Sequence, residues 1–142
     1  MTNAEAFLNR NRKILDTANP DWFGFFINAY QDLDEQDYTQ LVNMLRSFFA
    51  TDYESLWNEI EAKRENAAYY VLSRSLEGWL DDSDDSFITF LQFRMNYLNN
   101  YLGYGMRVFR EFLKDNASEF DVEYLDHDEV TGHSSVIKRK SN

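Results

Sequence analysis

A chain of 142 residues with 25 acidic against 14 basic side chains, a net charge of −11, is long enough for one domain with a hydrophobic core and too short for two ordinary ones. The absence of cysteine excludes a disulfide scaffold, thiolate catalysis and a cysteine-based zinc site together. A field of this sign disfavours a nucleic-acid backbone or an anionic membrane surface, leaving plain solubility or a basic protein partner as its use.

Twelve Phe, nine Tyr and three Trp predict a core built from rings at helical spacing. No run of about 20 apolar residues exists, and Met1-Thr2-Asn3-Ala4-Glu5 lacks a basic segment followed by an apolar one. Neither a membrane span nor a signal peptide is therefore expected, and the expected location is the cytoplasm. The charge is unevenly spread. From Asp21 to Ala62 nine acids face the single Arg46, and from Asp115 to Val130 seven acids face no base.

In chain order, Ala4, Phe7, Leu8, Ile14 and Leu15 form one stripe of a short amphipathic helix reaching about Thr17. Asn19-Pro20 offers a cap followed by proline in the first turn, so a second helix is predicted from there to Asp32 or Leu33. Asp34 reads as the cap of a third helix, in which Tyr38, Leu41, Val42, Leu45, Phe48 and Phe49 recur every three to four residues. Thr51-Asp52-Tyr53-Glu54 fits a capping box before a fourth helix that continues to Trp79, with a break allowed near Arg64–Asn66. Phe87, Phe90, Leu91, Met95, Leu98, Tyr101 and Leu102 predict a fifth helix, interrupted by Gly103-Tyr104-Gly105. Met106 to Asn116 reads as a short sixth. Beyond it Phe120, Val122, Tyr124 and Val130 show fragments of two-residue alternation, an extended arm or a partly disordered one. The expected fold is all-α: a single bundle of five or six helices with a partly extended C-terminal arm, residues 1–130, followed by a flexible polar tail, 131–142.

Chemistry has few places to reside. Asp81, Asp82, Asp84 and Asp85 surround Ser83 in an acidic turn that can cap a helix, bind a hard cation or face water. The spacing lacks the central Gly and late Glu of a calcium loop, so a cap at Ser83, Asp84 or Asp85 is the reading favoured, and no metal or cofactor is expected. Arg94 lies beside an apolar stripe within reach of the turn, to pair with it or to hold an anionic ligand. His127 and His133 fall in a polar region and read as solvated side chains. Nucleotide-binding glycine loops, a serine elbow and H-E-x-x-H are all absent, so no catalytic residue is assigned and enzymatic activity is not the favoured expectation.

Ser83-Asp84-Asp85-Ser86-Phe87 with Phe90 resembles the S-D-D-x-F-x-x-F signature of a bacterial helical family of unknown function, which also occurs attached to WGR-domain proteins of the molybdenum-metabolism-regulator type. Gly105-Met106-Arg107-Val108-Phe109 with Leu113, Lys114, Asp115 and Asn116 is similar to that family's G-R-E-V-F ending, and Ala67-Ala68-Tyr69 to its W-x-A-A-Y helix. Leu91 stands where the family carries Arg. The resemblance implies an all-helical fold with an acidic cap, no particular activity, and weight on Asp84, Asp85 and Gly105. Together these readings point to a protein-binding module, an immunity or antitoxin-like inhibitor of a basic partner, with Asp34, Glu35, Asp37, Asp121, Glu123 and Asp126 as partner surface. A small hydrolase or ligand-binding domain would instead use Asp81, Asp84, Asp85, Arg94 and Gly105. A structural accessory or oligomerisation domain is the third reading.

Overall fold

Asn11 breaks the first apolar stripe. Its side-chain amide donates to the Phe7 carbonyl at 2.9 Å, the carbonyl that its own backbone N–H also reaches, so a side chain competes for the helix ladder. The computed structural model, which describes residues 1–98 and 106–140, accordingly has two helices here, α1 (Asn3–Arg10) and α2 (Arg12–Leu15), where one was predicted. The second predicted helix begins two residues late. Asp21, not Asn19, caps α3 (Trp22–Asp32) by accepting from the Gly24 N–H at 3.0 Å. Asp34 caps α4 (Glu35–Phe49) as expected, accepting from the Asp37 N–H at 2.8 Å. The fourth helix, α5 (Glu54–Asp82), runs 29 residues without the break allowed for it.

Strands after α5 overturn the all-α expectation. Phe87–Thr89 is a strand, β1, and the fifth helix starts only after it, as α6 (Phe90–Tyr97), with Thr89 accepting from the Gln92 N–H at 3.3 Å. After α7 (Met106–Asn116) and a 3-10 turn (Ala117–Phe120), the supposed arm and tail fold back as a hairpin of β2 (Val122–Asp128) and β3 (His133–Arg139). The three strands make one antiparallel sheet, order β1-β3-β2, with Ile88 opposite Ile137 and Tyr124 opposite the same residue from the other side. Far from being a flexible tail, 133–139 is the central strand, and Val136 and Ile137 are fully buried. Seven α-helices and three strands are thus present among the described residues.

These elements divide into two compact units, residues 1–70 and residues 71–98 with 106–140, α5 contributing to both. The core of the first is aromatic. Phe7 meets Phe25 edge-on at 5.2 Å, Phe25 meets Phe26 at 5.3 Å, and Tyr30 lies 4.6 Å from Tyr38. Each such ring removed from water contributes on the order of 2–3 kcal/mol. The second unit buries Val71, Leu72, Leu76 and Trp79 of α5 with Phe90 and Phe93 of α6, Leu113 of α7 and the sheet residues Val122, Val136 and Ile137. No helix among the described residues is long and apolar enough to cross a membrane.

Candidate functional site

The acidic turn proves to be a helix C-terminus. Asp81 and Asp82 are the last residues of α5, the end where the dipole is negative and acids are unfavourable. Arg139 of β3 offsets this. Its Nε donates to the Asp85 carbonyl at 2.9 Å, one terminal nitrogen donates to the carbonyls of Leu80, at 3.1 Å, and Ser83, and the guanidinium lies 5.0 Å from the centre of the buried Trp79 ring. The Ser83 hydroxyl accepts from the Asp85 N–H at 3.1 Å and closes the turn locally. The cap of α6 is therefore Thr89, and none of Ser83, Asp84 or Asp85 serves that role. All four carboxylates are exposed, and no group of three or more metal-ligating side chains exists among the described residues. Arg94, half-buried in α6, forms no ion pair with them among the described residues. Gly105 lies outside the described residues.

The acids assigned to a partner surface fall in both units. Asp34 and Asp37 are occupied at the start of α4, Asp34 as its cap and Asp37 accepting from the Asn3 amide at 2.9 Å. Glu35 is half-buried, with Oε1 shut off from solvent and without a hydrogen-bond partner among the described residues. In the other unit Asp126 pairs with Lys114 at 3.1 Å, Glu123 sits opposite Lys138 across the ladder, and Asp121 adopts a left-handed turn at φ 58°. The nearly buried Asp128 is held below the usual carboxylate range by hydrogen bonding with Thr131 first and by Lys138 at 3.4 Å second. The arm's negative charge is thus partly matched by Lys138 of the sheet and Lys114 of α7.

The first unit holds a larger feature, built from residues whose helical spacing reads as core. An open groove of about 470 Å³ lies between α1, α2, the start of α3, the end of α4 and the start of α5, within the range of about 300–1,000 Å³ common for binding clefts. Leu8, Leu15, Trp22, Leu45, Phe48, Phe49 and Leu56 line it, with Arg12, Asp16 and Thr17 as its polar members. Its rings stand in a row, Trp22 to Phe49 at 6.0 Å and Phe49 to Phe48 at 4.9 Å, and Tyr53, beside the lining, stands 6.3 Å from Phe49. Phe48 is 67% exposed, Tyr53 54% and Leu56 38%.

Compared with known proteins, the chain matches no family model, no curated protein and no solved structure.

The likeness of Ser83–Phe90 to the S-D-D-x-F signature therefore rests on those residues alone. Helical spacing alone places the lining residues in a core: adjacent Phe25 and Phe26 of α3 are both buried, whereas of adjacent Phe48 and Phe49 of α4 the first is exposed. On α3, α4 and α5 the first unit is pinned by a polar chain that is buried at its tyrosines and part-buried at its ion pair. The Tyr38 hydroxyl donates to the Tyr30 hydroxyl at 2.7 Å, and Arg64 grips Glu61 through two hydrogen bonds of 2.9 and 2.8 Å. Burial works against the Arg64 charge, yet Glu61 and Tyr38 together hold its pKa above the ordinary arginine value. This network is structural in character: Tyr30, Tyr38, Glu61 and Arg64 bond to one another within the same helical core.

Proposed function

We propose that the chain is a protein-binding module that holds a basic partner through the groove of its first unit, in the manner of an immunity or antitoxin-like inhibitor. The observation that carries this is an apolar trough on whose edge Phe48 and Leu56, with Tyr53 beside them, stay exposed. Arg12 and Asp16 both line it, exposed Asp21, Asp52 and Glu54 adjoin the lining segments, as do exposed Arg10, Lys13 and Arg46, and residues 21–62 as a whole carry nine acids against Arg46 alone. Contiguous exposed apolar surface of this kind marks a place where another surface docks. The excess of acids over 21–62 favours a cationic one and speeds its approach. The carboxylates of Asp84 and Asp85 are exposed and form no ion pair with Arg94 among the described residues, so the binding role is assigned to the groove and not to a hydrolase built on that turn with Arg94.

The same exposed rings favour a second reading, in which a second copy of the chain covers them. A photo-crosslinking side chain at position 48 of the full chain, irradiated in native extract, separates the two. The partner reading expects an adduct to a basic protein whose yield falls as salt is raised. An adduct to another copy of the chain selects self-association instead, and the absence of any adduct removes both readings.

A further inference from the structure

The sheet of the second unit ends on β2. Because β3 lies between the other two strands, β2 has a strand neighbour on one side only among the described residues. The bonds just beyond the strands fix which of its backbone groups face outwards. The Lys140 N–H donates to the Asp121 carbonyl at 3.0 Å, and on the other side of β3 the Arg139 N–H donates to the Ser86 carbonyl at 2.9 Å. Bonded and non-bonded pairs alternate along an antiparallel ladder. Glu123, Leu125 and His127 therefore bond to β3, and Val122, Tyr124 and Asp126 turn their N–H and C=O groups away from it. None of these outward groups has a backbone partner among the described residues. Val122 is buried, Tyr124 half-buried and Asp126 exposed, so the accessible part of the edge lies around 124–126.

Open edges are blunted by shortness, lysine, proline or an inserted residue. β1, at the opposite edge, is only 3 residues long. β2 has 7, with no Lys, Pro or Gly, and no residue is inserted between its Val122–Arg139 and Asp128–His133 pairs. Its aspartates do not guard it either, since Asp126 is held by Lys114 at 3.1 Å and Asp128 by Lys138 at 3.4 Å. A strand laid antiparallel on this edge must bring its own outward groups to Tyr124 and Asp126. A second β2 does so about a two-fold axis at Leu125, the register that aligns the whole strand, from Val122 with the partner's Asp128 to Asp128 with the partner's Val122. Tyr124 then exchanges N–H and C=O with the partner's Asp126, Glu123 faces the partner's His127, and Leu125 faces its own copy. Within the strand no acid faces an acid. An axis at Asp126 would set that carboxylate against itself, which like-charge pairing opposes, and an axis at Tyr124 would shorten the overlap to 122–126. We infer that two copies of the chain pair through β2 about Leu125, joining their three-stranded sheets into one. The pairing draws on the second unit alone and is independent of what the groove binds.

The chain has no cysteine, so single thiols introduced into the full chain report the register. At the axis, residue 125 of the two copies forms a non-bonded pair with Cα atoms about 4.5 Å apart, a separation a disulfide can span. Under mild oxidation Leu125→Cys is expected to link to itself at least tenfold faster than Glu123→Cys does. Glu123→Cys mixed with His127→Cys should give the mixed dimer in preference to either self-linked one. Sedimentation of the unaltered chain should show a monomer–dimer equilibrium, shifted towards dimer by salt because each copy carries −11. Asp126→Pro should abolish it by removing an outward N–H, and Asp126→Ala, which keeps that N–H, should retain it. Amide hydrogen exchange of the unaltered chain needs no variant to fold: the Tyr124 and Asp126 amides should exchange faster on dilution while Glu123 and Leu125 stay slow. A chain that is monomeric at every concentration, equal linking at 125 and 123, or Tyr124 and Asp126 amides that stay protected on dilution overturns the pairing. A dimer dissociated by Phe48→Ser and not by Asp126→Pro gives self-association to the groove instead. A monomer whose residue 125, carrying a photo-crosslinking side chain, labels another protein in extract gives the edge to a foreign strand.

Discussion

Helix α5 ends with Asp81 and Asp82 at the negative pole of its dipole, and the guanidinium of Arg139 is what offsets them. Three carbonyls and the face of Trp79 depend on this one side chain. Arg139→Ala should lower stability by about 2–3 kcal/mol, since hydrogen bonds made by a charged group are the stronger ones and the carbonyls lose their partner. Arg139→Lys should recover only part of this, because an ammonium lacks the planar fork that spans Leu80, Ser83 and Asp85. Urea unfolding followed by tryptophan fluorescence reads both. Tyr38 makes a different kind of contribution. Burial first, and Tyr30 next, push its pKa well above 10, with Arg64 acting in the opposite direction. Above pH 10 the unfolded chain therefore releases a proton that the folded chain keeps, so stability that is fully present below pH 10 is lost as pH rises beyond it. Tyr38→Phe should cost about 1 kcal/mol at neutral pH through the lost bond to Tyr30, and that cost should shrink as unfolding is measured at rising pH above 10. A cost that stays constant across this window would show that Tyr38 titrates alike in both states.

At the scale of elements, the start of α3 couples two residues whose separate effects mislead. Asp21 accepts from the Gly24 N–H, and a Cβ at position 24 would overlap that same carboxylate. Gly24→Ala should thus gain helix propensity of up to about 1 kcal/mol and lose a cap of about the same size, leaving stability nearly unchanged. With Asp21→Ala already present the cap is gone, and Gly24→Ala should then stabilise by several tenths to about 1 kcal/mol. Thermal unfolding of the four-member cycle measures this coupling, and strict additivity would refute it. Local devices of this sort are the legible part of the chain: the Asp34 cap, the stripe of α4 and the continuity of α5 all come from neighbours within a turn or two. The sheet is not legible, because Phe87-Ile88-Thr89 is too short for a period of two to be told from one of 3.6. Its partner residues, Val136 to Lys138, lie in a stretch that composition marks as tail. The acidic turn is legible as a turn, but its partner Arg139 is equally remote in sequence, so the carboxylates draw attention where the carbonyls carry the structure. The groove escapes for the converse reason. Leu8, Leu15, Trp22 and Phe48 satisfy helical periodicity whether they face a core or a cleft, and only the packing of α1 to α5 decides which.

For the molecule as a whole, one property acts in two opposite directions. A net charge of −11 with nine acids against Arg46 between 21 and 62 means that folding the first unit concentrates like charges. Self-repulsion of this kind destabilises the compact state and is relieved by screening. Raising sodium chloride from about 20 mM to about 500 mM shortens the Debye length from roughly 20 Å to about 4 Å. The chain's melting temperature should then rise by about 3–5 °C, the response to a gain near 1 kcal/mol in a chain of this size. Ion pairs do not offset this. Of the three among the described residues, Lys114–Asp126 is largely exposed and worth little, and Arg64–Glu61 and Lys138–Asp128 are local to their own turn and hairpin. The same screening should weaken the hold on a basic partner, because the chain's excess of acids would no longer draw it in. Stability and affinity should therefore move in opposite directions over one salt series. If both rise together, the acids take no part in binding and the groove works by apolar contact alone; if both fall, the acids are internally compensated and the charge is not the chain's means of recognition.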